Sequence, residues 1–237
     1  MANLPISDRT PNVGEEMNTK KEKQAAGAPL SKSALRRQRE REQRLATILG
    51  AAQTLFAREG YHKASMEKIA DTAEVSVGTL YFYFKNKEDL LVKLLSQIGF
   101  DLRNMLGSAF KNTDISLAGI REAGRIFFEE FCPHHPESIA IFFRESVGQS
   151  EHVEAHRKMI FDKLIDDVCQ ALIRVCENQG AQFQSDLSAE VMATSIMGMF
   201  ERIAYQYLIW QDRSGDLKTI GQDAVDFIIG GIEKLFR

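Results

Sequence analysis

Cysteine is scarce. The 237 residues hold three, Cys132, Cys169 and Cys176, an odd number without the short paired spacings of a zinc ribbon or a redox motif, so neither a disulfide framework nor a cysteine-rich metal site is indicated. They are expected to be reduced thiols. Long apolar runs are missing too: Ile139–Phe143 is as long as an uninterrupted one gets, against the ~20 residues that a membrane-spanning helix needs. The beginning of the chain is too polar for a secretion signal, so a cytoplasmic protein without a membrane partner is expected. GxGxxG, P-loop, GxSxG and HExxH patterns are absent, and no enzymatic activity or cofactor is expected. Hairpin signals, alternating strand patterns and internal repeats are also lacking.

What is present is helical periodicity over a composition that is 44% hydrophobic, enough to fill a core. The formal net charge of −3 hides an asymmetry. Residues 30–93 carry 12 Lys and Arg against 8 Asp and Glu, whereas residues 94–237 carry 14 against 21, giving +4 and −7. A basic front ahead of an acidic body suits a polyanionic partner. Residues 1–34 contain Pro5, Pro11 and Pro29 and no apolar face. Such a segment cannot offset its ordering entropy, and a disordered tail is expected there.

The next stretch, 35–86, reads as a compact head. A run dense in arginine leads into a helix with Leu45, Ile48, Leu49, Ala52, Leu55 and Phe56 on one face, closed by Gly60. Ser65 caps a short second helix whose inner face is Met66, Ile69, Ala70 and Ala73. A tight turn at Glu74 and Val75 follows, and Ser76 caps a third helix with Leu80 and Phe84 inward. Two short helices joined this way form a helix-turn-helix, whose second helix enters the major groove while the first braces it across the phosphates. Ser76, Gly78 and Thr79 permit close approach, and the hydroxyls of Tyr81 and Tyr83 can bond phosphate. Lys85 and Lys87 sit at the start of a fourth helix, and Phe82, unclaimed by the core pattern, can touch thymine methyls or sugars. Arg37 and Arg41, ahead of the head, suit a basic arm in the minor groove; the interleaved Glu40 and Glu42 equally fit a solvated helix face.

The string AAQTLFAREGYHKASMEKIADTAEVSVGTLYFYFKNKEDLL, within roughly residues 45–91, resembles the N-terminal signature of the TetR family of bacterial transcriptional regulators. The resemblance implies a homodimeric repressor with one such head per subunit and a variable helical ligand-binding body. By position it implies that Ser65 caps the bracing helix and bonds phosphate, that Ser76, Val77 and Thr79 face the groove, and that Tyr81, Phe82, Tyr83 and Lys87 supply phosphate or base contacts. Two residues depart from the pattern. Glu74 stands where the family usually has glycine, so a left-handed backbone there costs ~1 kcal/mol. Ser65 stands where threonine is favoured, and either residue caps a helix.

The body, 87–237, also reads as all-α: a helical bundle for ligand binding and dimerisation. It holds 12 of the 15 phenylalanines. Met105, Phe127, Phe131, Phe142, Phe143 and Cys169 are the expected lining of an apolar cavity, most of the aromatic residues otherwise being core. A small apolar or aromatic effector would follow. His152 and His156, one turn apart, make half of a metal site without an assignable third ligand, which leaves a metal-responsive repressor as an alternative. The last two helices carry more apolar residues than one core face requires. Met199, Ile203, Tyr207, Val225, Ile228, Ile229 and Ile232 are therefore expected to pack against the same helices of a second subunit. The full expectation is a ligand-responsive regulator, most simply a repressor, holding a double-stranded pseudo-palindromic operator as a homodimer. A helical interaction protein without DNA binding is the competing class.

Overall fold

The structure, a computed structural model, describes residues 31–235. The tail expected over residues 1–34 lies outside the described residues apart from its last four, where the first helix has already begun. Helix α1 (Lys32–Glu59) is followed by two short helices, α2 (Met66–Thr72) and α3 (Val77–Tyr83), and by the long α4 (Lys87–Lys111). Then come α5 (Leu117–Arg125), α6 (Cys132–His134), α7 (Pro136–Ala140), α8 (Glu151–Asn178), α9 (Ser188–Ala204) and α10 (Leu217–Leu235). No β-strand occurs among the described residues, as the periodicity predicts.

The chain divides into two compact units, one ending at Arg44 and the other beginning at Leu45. In the first, the described residues are the basic part of α1, where Arg36 pairs with Glu40 at 2.7 Å and Gln38 bonds Glu42 at 2.8 Å. These i, i+4 pairs each favour the helical form of the arginine run by ~0.2–0.5 kcal/mol. Arg37 and Arg41 are both exposed along it.

In the second unit a continuous apolar core runs from Ile48 and Phe56 in α1 through Leu80 and Leu90 to Phe128 and Ile232. Polar N-caps set the helix starts, with Ser65, Ser76, Asn86, Ser116 and Ser150 each accepting a hydrogen bond from a first-turn amide. The body departs from plain α-helix at three π-helical stretches: Ile126–Phe131 after α5, Ile141–Glu145 after α7 and Tyr205–Trp210 after α9. The first two carry the aromatic pairs Phe127–Phe128 and Phe142–Phe143 into the core.

One expectation about the last helices is corrected. Val225, Ile228, Ile229 and Ile232 are buried within their own chain, Met199 and Ile203 are partly buried against the same core, and Tyr207 is partly buried. Val225, Ile228, Ile229 and Ile232 therefore present little surface to a second subunit, whereas Met199, Ile203 and Tyr207 keep part of theirs open. The reason lies in α5 and the π turn beyond it. Both pack on α10 so closely that a Cβ at Gly124 would come within 2.5 Å of Val225, and one at Gly221 within 2.5 Å of Phe128. The open apolar residues and glycines of α9 and α10 are Val191, Gly198, Phe227, Gly230 and Gly231, with Phe227 73% exposed.

Candidate nucleic-acid interface and cavity

The head is organised by its caps. The Ser65 hydroxyl accepts from Lys68 N–H at 3.2 Å, and α2 ends in a closed turn in which Val75 N–H reaches Ala70 O at 3.0 Å and Glu74 N–H reaches Asp71 O at 3.1 Å. That 6→1 and 5→2 pairing requires a left-handed residue between the two helices. Glu74 supplies it, with φ of +53°. Ser76 then accepts from Thr79 N–H at 3.0 Å and shares a 2.8 Å bond with the Thr79 hydroxyl.

Several expected contact residues share the open face of α3. Ser76, Gly78 and Tyr81 are exposed, Phe82 is 73% exposed, and Lys85 is open just beyond. Val77 and Tyr83 instead lean partly on the core, so Val77 presents less to a partner than expected. Lys87 is a clearer correction. Its ammonium donates to Tyr61 O at 2.6 Å, Ala64 O at 2.9 Å and His62 O at 3.3 Å, and lies 4.3 Å from the centre of the Tyr61 ring. All three protons are engaged, and burial holds its pKa below the ordinary lysine value. Lys87 ties the loop after α1 to the start of α4; it does not extend a free charge toward phosphate.

Four polar contacts join α1 and its following loop to the segment around α7. Gln53 donates to Ser138 at 3.3 Å, Thr54 to Glu137 at 3.4 Å, Tyr61 N–H to Glu145 at 2.8 Å, and Arg144 to Ala57 O at 3.2 Å. Gly60, with φ of +87°, admits Glu145: a Cβ there would sit 3.3 Å from its carboxylate. Ser150, at the start of α8, bonds Glu88 in α4 at 2.8 Å.

A cavity of about 430 Å³ opens between α4, α5, α8 and α9. Its inner wall is Ile120, Ala123, Gly124, Leu164, Ile196, Met197 and Phe200. Its rim is Phe100, Arg103, Asn104, Lys111, Asp167, Gln170 and Arg174, with Leu106, Gly107, Phe110, Val168 and Ala171 between. Arg103 grips Asp167 with two bonds of 2.5 and 2.8 Å, whereas Lys111 and Arg174 are exposed. The volume falls within the range of small-molecule sites.

None of the six expected lining residues reaches this space. Phe127 and Phe131 stack behind it, Phe127 against the wall residue Phe200 at 4.8 Å between ring centres. Phe142 and Phe143 pack on Phe161. Met105 and Cys169 belong to lining helices but lie on neighbouring stripes. The phenylalanines expected to line it are taken up by core packing instead, and Gly107, Ala123, Gly124 and Ala171 leave space between the larger lining residues. The missed signal is a pair of helical stripes: Phe100, Arg103, Gly107, Phe110 and Lys111 on α4, and Leu164, Asp167, Val168, Ala171 and Arg174 on α8. Of the two histidines, His156 bonds Ser96 at 2.7 Å, and the described residues hold no cluster of three or more metal-ligating side chains.

Residues 48–100 match the family model described as bacterial regulatory proteins, tetR family. The chain is also 41% identical over 191 residues to the fatty acid metabolism regulator protein of Bacillus subtilis, covering 78% of this chain and 93% of that one. The chain belongs to the TetR family. It is a DNA-binding transcriptional regulator. A second relative of this TetR protein, the transcriptional activator FasR of Mycolicibacterium smegmatis, is 27% identical over 192 residues, 81% of this chain and 84% of that one. The crystal structure of the regulator FadR from Bacillus subtilis in complex with stearoyl-CoA superposes with a TM-score of 0.67 at 19% identity, over 78% of this chain and 98% of that one. Among the described residues of this TetR regulator, no helix is long and apolar enough to cross a membrane.

Proposed function

We propose that the protein is a homodimeric repressor whose effector is an amphiphile with a long apolar tail and a phosphate-bearing head, of the long-chain acyl-CoA class. The observation that carries this reading is the cavity: a buried apolar inner wall under a rim bearing two exposed cations, Lys111 and Arg174. An apolar wall takes a hydrocarbon tail, and cations at the mouth hold anionic oxygens near water. The stearoyl-CoA complex of the Bacillus subtilis neighbour supports the same ligand class.

In this reading, residues 35–86 are the reader and residues 87–237 the sensor. Ser65 braces α2 on phosphate, Ser76, Gly78 and Thr79 bring α3 into the groove, and Tyr81, Phe82 and Lys85 contact sugar, phosphate or base edges. The two readers address half-sites about 34–36 Å apart, or a multiple of that. The subunits meet through Val191, Gly198, Phe227, Gly230 and Gly231, where small residues permit close approach and Phe227 supplies apolar area.

Helix α4 links the two functions: it starts at the Asn86 cap beside the reader and its far half walls the cavity. An effector that prefers a different placement of α4 shifts the dimer away from the spacing that fits DNA. Selection of random DNA by the purified protein, with and without stearoyl-CoA, tests this. A palindromic motif enriched only in the absence of stearoyl-CoA supports the reading. Enrichment unaffected by it removes acyl-CoA as the effector, and no enrichment in either condition removes the operator model.

A further inference from the structure

Resting on the acyl-CoA reading of the cavity, we infer that Phe200 sets the length of apolar tail the protein accepts. Of the three phenylalanines that line the cavity, Phe200 is the buried one, 7% exposed, whereas Phe110 is partly buried and Phe100 open. The Phe200 ring is held from behind. Phe127 stacks on it at 4.8 Å and 22°, Phe128 meets it edge-on at 5.0 Å and 64°, and Phe131 continues the stack behind Phe127 at 6.2 Å and 14°. A tail that reaches this ring cannot displace it without breaking several aromatic contacts at once. The neighbouring Met197 is flexible and yields to a ligand, so it measures length poorly. Gly124 also borders the ring: a Cβ added there would lie 3.5 Å from Phe200 Cζ and 2.5 Å from Val225.

Each methylene that finds apolar wall contributes about fourfold in affinity, the equivalent of ~0.8 kcal/mol. Binding should therefore tighten with tail length until the terminal methyl meets Phe200, and then stop tightening or weaken. The test is calorimetric titration of the full-length protein with a series of saturated acyl-CoAs from octanoyl to stearoyl and beyond. Phe200→Leu should move the break to longer chains, and Phe200→Trp should move it to shorter ones. The two opposed shifts separate a ruler from a general loss of folding, which would weaken all lengths alike. A break at the same length in the wild type and both variants overturns the inference while leaving the acyl-CoA reading standing. Failure of every acyl-CoA to bind the wild type overturns that reading, and the ruler with it.

Discussion

Gly78 occupies an exposed position in α3, and a Cβ added there would meet nothing closer than the Ser76 hydroxyl at 3.8 Å. Gly78→Ala should thus leave the fold intact and raise stability by about 0.5–1 kcal/mol, since glycine disfavours helix. If α3 lies in a groove with its backbone close to DNA, the same methyl should cost tenfold or more in operator affinity, read by gel shift. Unchanged affinity would take α3 off the DNA. Lys87 behaves in the opposite way: Lys87→Met leaves the part-buried carbonyls of Tyr61 and Ala64 without their donor and should lower the unfolding free energy by about 1–3 kcal/mol, read by urea titration even without DNA. Lys85→Ala should leave stability alone and reduce the salt slope of binding by about one. Caps were legible from residue type alone: Ser65 and Ser76 accept the bonds their positions predict. The role of Lys87 was not, because the carbonyls it binds lie 23 to 26 positions away in the chain, beyond any local pattern.

At the scale of elements, periodicity located the helices, and burial then divided each helix in a way that periodicity alone does not resolve. On α10, Ile228 and Phe227 are adjacent, yet one is buried in its own chain and the other open. Ile228→Glu should therefore abolish folding, whereas Phe227→Glu should leave a folded protein that sediments as a monomer. A dimer that persists in Phe227→Glu would place the interface elsewhere. The cavity was illegible for a related reason: small residues such as Gly107, Ala123, Gly124 and Ala171 open it between larger ones on four different helices. Gly107 on α4 lines it and has nothing within 4 Å of an added Cβ. Gly107→Leu should fold at least as stably as the wild type and lose effector binding, because its side chain occupies the effector's space. The π-helical stretches had no signature in the sequence, since an added residue per turn leaves the apolar pattern of Ile126–Phe131 unchanged over so short a run.

Across the whole molecule, the polar bonds from Gln53, Thr54 and Tyr61 to the segment around α7, with that of Ser150 to Glu88 at the start of α4, tie helices together within the unit that begins at Leu45. His156, bonded to Ser96 between α8 and α4, reports on that unit's pH tolerance. Burial, reinforced by His152 and Lys163, holds its pKa below the ordinary 6.5. The unfolded chain therefore takes up this proton first, so the stabilisation is full above about pH 6.5 and lost as pH falls below it. The urea midpoint should decline from that point downward, and His156→Gln should flatten that part of the profile. The central claim is that one cavity controls one DNA-reading surface through α4. Its most direct test is the anisotropy of a fluorescent operator duplex titrated with wild-type protein and with Gly107→Leu, each in the presence and absence of saturating stearoyl-CoA. Stearoyl-CoA should lower operator affinity 5–150-fold for the wild type, the range of a ~1–3 kcal/mol coupling, and leave that of Gly107→Leu unchanged. Equal responses in the two proteins, or no response in the wild type, would contradict the claim.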